Sequence, residues 1–342
     1  MEIKNEMQDL IVKLKDLEQG CADQFIDLKI LKFSIKENEM KLYNDFHNYY
    51  FKNDPKNPKN PKVIHAIKQF TTLQKVPYSF FSKNPEYMRL SMVNCWLPSL
   101  PVEKSSVLGK LRTVKDSKSD YIIRALLPVD HTNITNSQVI EAVSREILDD
   151  FHIDFIFGDE RDDLVLHIRF ISNEEFEVCG EKCSVGFSLV CSELGASPLS
   201  VDTLLYRGLS KGSLIALYGG ESYFSFEYDK IQRDDLEKLF PPLVSHLREK
   251  LIDVKQRIQA AKELTQKKEN LQDLLRSLRL VKGLNDKFHT MLFQEIKKDE
   301  TIKTRWDFVN KMAIIAKDFD VTKRLRIEKT AGTLMDLIFP KN

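Results

Sequence analysis

Three of the five cysteines, Cys179, Cys183 and Cys191, lie close together, and clustered cysteines raise the question of a metal site. Structural zinc sites use two closely spaced ligand pairs, typically Cys-x2–4-Cys with a second Cys or His pair downstream. Cys179 and Cys183 have a tolerable spacing, but the second pair is missing and the next histidine downstream is His246. The intervening residues 180–182 are typical of a hairpin turn, which sets the two cysteines opposite each other. We therefore predict cysteines inside a sheet, with no metal and no other cofactor.

A second candidate site is the acidic cluster of Asp159, Glu160 and Asp162, whose oxygens could hold a divalent cation in a nuclease-type site. Predicted strands flank the cluster, so a solvated turn is the competing interpretation. The sequence contains no phosphate-binding loop, no dinucleotide-binding glycine motif and no nucleophile-elbow motif. It therefore favours a protein without catalytic activity, and a metal-dependent nuclease stays a third hypothesis.

Basic residues on predicted strands and their turns indicate a nucleic-acid interface. Tyr121, Tyr206 and Tyr218 lie among them, and aromatic rings beside cations are what single-strand-binding proteins use for stacking and for following the backbone. The alternative is an ordinary charged sheet face with structural tyrosines. The predicted nucleic-acid-binding residues are Lys110, Arg112, Lys115, Arg124, Arg207 and Lys211.

The bulk composition is that of a soluble globular chain of about two domains, with 342 residues, 42% hydrophobic and 30% charged. The net charge of +1 hides an asymmetry, since residues 245–342 hold 22 Lys and Arg against 14 Asp and Glu. This excess favours an anionic partner, although a solvated lysine-rich helical surface would produce it too. With an odd number of cysteines, no apolar run of ~18 residues and no signal-like start, we predict a cytoplasmic protein without a membrane partner.

Apolar residues follow a heptad pattern through the first fifty residues, and we predict a coiled-coil helix over residues 1–52. The a and d positions are Ile3, Met7, Leu10, Leu14, Leu17, Cys21, Gln24, Leu28, Leu31, Ile35, Asn38 and Leu42. A second apolar stripe runs from Leu243 to Leu292. We predict that the two helices pair as an antiparallel intramolecular stalk, with a homo-oligomeric coiled coil as the alternative.

Between these helices we predict a linker and a mixed core. The prolines and asparagines of residues 53–62 cannot continue a helix. In residues 63–232, strand segments of alternating polarity surround one amphipathic helix that begins near residue 136. The predicted fold class is therefore α+β, an antiparallel-rich α/β core flanked by long N- and C-terminal helices, with a helical region over residues 233–342.

Several short motifs are similar to those of one known family over roughly residues 63–330. They are Leu111-Arg112-Thr113, Arg124-Ala125-Leu126, Asn133-Ile134, the turn Ser192-Glu193-Leu194-Gly195-Ala196-Ser197, Tyr206-Arg207, and Trp306 with Asn310. These motifs resemble the phage- and plasmid-associated family catalogued as domain of unknown function 932. The resemblance implies mobile-element biology, in which DNA binding during recombination or replication is the most economical role. It places Arg112, Arg124 and Arg207 at recurrent positions, although a buried pair with Glu193 would explain Arg207 equally well.

Two hypotheses of function follow. The first is a non-catalytic, annealing-type protein that binds single-stranded DNA and forms a homo-oligomer through its helices. The second is a protein-interaction module, such as an anti-defence factor or assembly subunit, that binds a partner protein through the N-terminal helix.

Overall fold

The computed structural model describes residues 2–36, 39–51, 61–73, 75–113, 119–147, 151–158, 163–178, 181–207, 213–216, 223–243, 245–246, 286–298, 305–319 and 321–336. The helices are α1 Glu2–Glu18, α2 Pro61–Leu73, α3 Tyr78–Lys83, α4 Glu86–Ser99, α5 Val102–Ser105, α6 Asn136–Glu146, α7 Leu236–Leu239, α8 Asp286–Lys298, α9 Arg305–Ala316 and α10 Val321–Asp336. The strands are β1 Cys21–Asp27, β2 Lys32–Lys36, β3 Glu39–Tyr43, β4 Asn48–Phe51, β5 Ser106–Thr113, β6 Asp120–Pro128, β7 Phe151–Phe157, β8 Leu166–Val178, β9 Glu181–Cys191, β10 Leu199–Arg207, β11 Ser213–Ala216 and β12 Phe224–Phe226.

The first sheet has the strand order β1-β5-β6-β4-β3-β2, and all its neighbouring pairs are antiparallel except β4 and β6, which are parallel. Apolar and polar residues alternate in β2 and β3, so each strand presents one apolar face. Phe33, Leu42, Phe51 and Ile123 lie on that face and form a core with α2 and α4. This inner face therefore anchors the sheet, and its polar neighbours point to the opposite side.

The second sheet has the order β11-β10-β9-β8-β7, with β12 also paired to β10, and all of these pairs are antiparallel. Helices α1 and α6 pack on one face, where Leu10 and Val143 join a core with Phe170 and Phe187. Helix α6 begins at a capping box. The Thr135 side chain accepts a hydrogen bond from the Gln138 backbone N–H, and the Gln138 side chain accepts one from the Thr135 backbone N–H. One face of the second sheet is thus covered by α1 and α6, two helices that are far apart in sequence.

The other face of the second sheet is polar where α10 packs on it. The Arg169 guanidinium on β8 donates to both carboxylate oxygens of Glu328 on α10, at 2.6 and 3.3 Å, and both side chains are buried. Arg324 Nε donates to the same carboxylate at 3.0 Å, and Lys329 pairs with the buried Asp202 on β10 at 3.0 Å. Charged groups, and not only apolar ones, therefore join the C-terminal helix to the sheet.

The predicted stalk and its coiled-coil helix over residues 1–52 are wrong. Helix α1 ends at Glu18, Gly20 adopts a left-handed conformation with φ of 75°, and residues 21–51 form β1 to β4. A left-handed residue ends a helix at little cost when it is glycine. The protein is therefore a mixed α/β fold with two sheets, and not an α/β core between two long helices.

The predicted linker, core domain and C-terminal helical region lie only partly within the described residues. Strands β5, β6, β8, β9 and β10 and helix α6 occupy the predicted core, and α8 to α10 occupy the predicted C-terminal helical region. Residues 52–60, with most of the predicted linker, and 247–285, with most of the second apolar stripe, lie outside the described residues. No helix in the described ranges is both long enough and apolar enough to cross a membrane.

Candidate nucleic-acid interface

The face of the first sheet opposite its hydrophobic core, here called the outer face, carries two rows of side chains. Each row forms because residues paired in register point to the same side of the sheet. The first row is Lys32, Tyr43, Asn48 and Asp120, on β2, β3, β4 and β6. The second row is Ser34, Lys41, Tyr50, Ile122, Arg112 and Cys21, on β2, β3, β4, β6, β5 and β1. Every one of these side chains is exposed or partly exposed, so this part of the sheet offers a surface to a partner.

Two tyrosine rings and one ammonium group form the centre of this surface. Lys41 Nζ lies 5.4 Å from the ring centroid of Tyr43 and 5.4 Å from that of Tyr50. The same Nζ donates to Asn48 Oδ1 at 2.9 Å, and Asn48 Nδ2 donates to Asp120 Oδ1 at 2.7 Å. These bonds hold the ammonium between the rings, where the cation–π attraction also stabilises it. The result is a pair of positioned aromatic platforms with a positive charge between them.

The charges around the platforms are mixed. Lys32 and Lys36 are exposed on β2, and Arg112 is partly exposed on β5. Two of the acids on this face, Glu39 and Asp120, lie near Tyr50, whose pKa is raised by burial first and then by these two carboxylates. The surface can therefore attract a polyanion while it presents hydrogen-bond acceptors beside one ring.

An exposed phenylalanine extends the aromatic surface at the β3–β4 turn. Asn44 Oδ1 accepts hydrogen bonds from the backbone N–H groups of Phe46 and His47, and this local bonding shapes the turn. Phe46 lies in this turn and is 77% exposed. It is an exposed ring in the turn that connects Tyr43 to Asn48.

Two of the predicted binding residues lie in internal ion pairs. Lys110 is buried, with its Nζ 3.0 Å from Asp23 Oδ2 and hydrogen-bonded to Asn133 Oδ1. Arg124 pairs with Glu193 at 2.7 Å, and each of these side chains is only 9% exposed. Both cations therefore contribute to the interior in this structure, where they face carboxylates of the chain itself.

The remaining predicted binding residues, and the tyrosines predicted beside them, lie in different parts of the structure. Arg112 belongs to the open surface, and Arg207 ends β10 opposite Cys183, with its side chain outside the described part. Tyr121 is buried on the inner face, and Tyr206 packs against the cluster of Ile171 and Leu204 on the second sheet. Residues outside the described ranges are Lys115, Lys211 and Tyr218.

The turn that resembles a family motif joins the two sheets. Glu193 supplies the ion pair with Arg124, while the Leu194 carbonyl accepts hydrogen bonds from His65 Nε2 at 2.9 Å and Gln69 Nε2 at 3.0 Å. The next residue, Gly195, has a φ of 68°, in the left-handed region that favours glycine. The polar residues of this turn therefore have a structural role between β6, α2 and β9.

Beside this junction, His131 makes stability depend on pH. Its ring stacks on Tyr228 with centroids 5.2 Å apart, and burial together with the Lys110 ammonium lowers the His131 pKa to about 4. An unfolded histidine has a pKa near 6.5. As the pH falls from about 6.5 to 4, the unfolded state takes up this proton first, and the His131 contribution to stability is progressively lost.

We therefore expect His131→Phe, which keeps an aromatic ring on Tyr228, to flatten the decline of the unfolding free energy between pH 7 and pH 4. Urea titrations of both proteins at several pH values give the two slopes. The same variant tests the assignment directly, because equal slopes would show that His131 does not titrate differently in the two states.

The predicted cysteine interior is only partly described. Cys183 and Cys191 are buried on β9, and the Cys191 thiol donates to Asn136 Oδ1 at 3.4 Å. Cys179 and the acidic residues 159–162 lie outside the described part of the chain. Within the described part, no group of three or more His, Cys, Asp and Glu side chains is placed to hold a metal ion.

The sequence analysis did not single out Tyr43, Lys41 and Tyr50 as candidate binding residues, because their segment also fits a heptad pattern. The alternation of polar and apolar residues in KFSIK and EMKLY, separated by a short polar turn, is the signal that could have found them. A hairpin assignment for residues 32–43 puts Lys41 and Tyr43 on one face.

Comparisons with known proteins identify no relative of this chain. No family model, no curated protein and no solved structure matches it. The resemblance to domain of unknown function 932 therefore stays a prediction.

Proposed function

We propose that this protein binds single-stranded nucleic acid across the open face of its first sheet. The observation that carries the proposal is the arrangement of Tyr43, Lys41 and Tyr50, two partly exposed rings with an ammonium group 5.4 Å from each centroid. Unpaired bases stack on such rings, while a duplex keeps its bases stacked on one another.

The surrounding cations support the same proposal. Lys32, Lys36 and Arg112 lie on the face that carries the rings and can contact phosphates on either side of the stacked bases. Phosphate contacts of this kind make affinity fall as salt concentration rises. The binding residues of this proposal therefore differ from the sequence-based set, since only Arg112 is common to both.

The protein-interaction hypothesis loses its main support. It depended on a coiled-coil stalk that contains the heptads of the N-terminal helix, but Met7, Leu10, Ile11 and Leu14 are buried against the second sheet. None of the described cysteines, Cys21, Cys95, Cys183 and Cys191, forms a disulfide.

The first test is fluorescence anisotropy with labelled single- and double-stranded DNA of equal length, over a salt series, on protein of measured mass. We expect tighter binding to the single strand, with an affinity that falls steeply with salt. Absence of binding at low salt, where the attraction is strongest, would overturn the proposal.

Replacement of the rings gives a sharper prediction. We expect Tyr43→Ala and Tyr50→Ala each to weaken single-strand binding by about 1–3 kcal/mol, since each removes one stacking platform. The salt dependence should change little, because the phosphate contacts remain. Tyr87→Ala on α4 is the matched control, as this ring is 69% exposed on a helix outside the binding face. Equal losses in all three variants would argue against a stacking role for the sheet.

A further inference from the structure

Arg89 on α4 carries a positive charge that has no ion-pair partner within the described part of the chain. Its Nη1 donates weakly to the Met40 sulfur at 4.0 Å, and its Cζ lies 6.0 Å from the ring centroid of Phe81. The Nε atom is buried and has no hydrogen-bond partner. The acids closest to this contact along the chain are Glu86 on α4 and Glu39 on β3. Neither forms an ion pair with Arg89 in the described structure.

These contacts leave most of the hydrogen-bonding capacity of the guanidinium unused. An arginine side chain has five N–H donors and no acceptor, while a thioether sulfur is only a weak acceptor. Buried donors in native proteins almost always have a partner, and a donor without one is a sign of a bound ion or water. The surroundings of Arg89 therefore suit an anionic ligand with several acceptor oxygens.

A second cation and a phenol lie beside Arg89. Burial raises the pKa of the Tyr78 phenol, and the positive charge of Arg89 opposes this shift, so the guanidinium lies near this side chain. Lys68 Nζ on α2 lies 5.9 Å from the ring centroid of Tyr78. Lys68 is exposed and, like Arg89, has no ion pair in the described ranges. Tyr78 and Arg89 are partly exposed, so a solute can reach this group of residues.

We propose that Arg89, Lys68 and Tyr78 form a binding site for a phosphate group. A guanidinium can donate two parallel hydrogen bonds to phosphate oxygens, and a lysine adds a compact positive charge. The Tyr78 hydroxyl supplies a further donor. A phosphate group with two negative charges and three acceptor oxygens matches two cations and a hydroxyl better than a carboxylate, which has one charge and two oxygens.

The site is separate from the aromatic platforms. Met40 packs against the core that the first sheet forms with α2 and α4, so Arg89 contacts the inner face of the sheet, whereas Lys41 lies on the outer face. The proposal therefore does not depend on single-strand binding, and either one can fail without the other.

The test is isothermal titration calorimetry at pH 8 with inorganic phosphate, thymidine 5′-monophosphate and thymidine, at matched ionic strength. We expect saturable binding of one phosphate per chain and no binding of thymidine at this site. Arg89→Met, which keeps the length of the side chain, should weaken phosphate binding about ten- to a hundredfold. Arg145→Met is the matched control and should bind as the native protein does, because Arg145 is 60% exposed and already pairs with Glu237.

A second variant keeps the test valid if Arg89→Met does not fold. Lys68→Met changes an exposed side chain and should weaken phosphate binding several-fold while the melting temperature without phosphate stays the same. Equal affinity for phosphate and thymidine 5′-monophosphate would identify free phosphate as a sufficient ligand, and tighter binding of the monophosphate would identify a nucleotide phosphate. The proposal is wrong if neither compound binds, if thymidine binds as tightly as its monophosphate, or if folded Arg89→Met retains native affinity.

Discussion

Replacement of Glu328 by alanine is expected to lower the free energy of unfolding by about 3–5 kcal/mol, because it leaves a buried guanidinium without its carboxylate. Arg169 is fully buried and donates two hydrogen bonds to Glu328, which also accepts from Arg324. Removing the acid thus affects two cations at the contact between α10 and the second sheet. Urea unfolding followed by circular dichroism measures the loss.

A matched control separates burial from charge pairing in general. Arg145 and Glu237 also form an ion pair, but both side chains are more than half exposed. Arg145→Ala should therefore cost no more than about 1 kcal/mol. A Glu328→Ala loss as small as the control loss would mean that water reaches Arg169 in solution and that the buried network does not form.

The second large effect is expected from charge reversal at Arg124. In Arg124→Glu a new carboxylate faces Glu193, and both side chains are largely excluded from water. We expect a loss of about 3–5 kcal/mol in the free energy of unfolding, because an ion pair is replaced by a repulsive pair of acids. Urea unfolding again provides the measurement, with Arg112→Glu as the comparison.

Arg112→Glu reverses a charge on the open surface and should change stability much less than Arg124→Glu. It should instead weaken single-strand binding and reduce its salt dependence, since one phosphate contact is lost. The two neighbouring arginines thus separate a structural role from the proposed binding role. Equal destabilisation by both substitutions would show that Arg112 also belongs to the interior.

The sequence predicts those parts of the fold that local patterns determine. The alternation in residues 166–171 and the amphipathic stripe of α6 both appear where expected, because a buried face imposes its period on the chain. The segment of residues 21–42 could not be assigned in this way, since a few apolar residues satisfy the heptad spacing and an alternating pattern equally. The long-range pairing of β1 with β5, and of the following β4 with β6, determines that this part of the chain forms a sheet.

The candidate site was less predictable than the fold, because ion pairing depends on residues far apart in sequence. Arg124 and Glu193 are separated by 69 positions, and nothing in their local patterns shows that they meet. Sequence reasoning considered Arg207 as the partner of Glu193, whereas the structure places Arg124 there. A basic residue on a strand can be recognised from sequence, but whether it faces solvent or an internal carboxylate cannot.

Helix α1 has a consequence for the order of events during synthesis. Its apolar side, with Leu10 and Leu14, packs in a core that also needs Phe187 on β9 and Val201 on β10. At about 5–20 residues per second, a ribosome takes roughly 10–40 s to extend the chain from Leu14 to Val201. During that time the stripe lacks its native partners, so nascent chains of intermediate length should be clients for chaperones that bind exposed apolar segments.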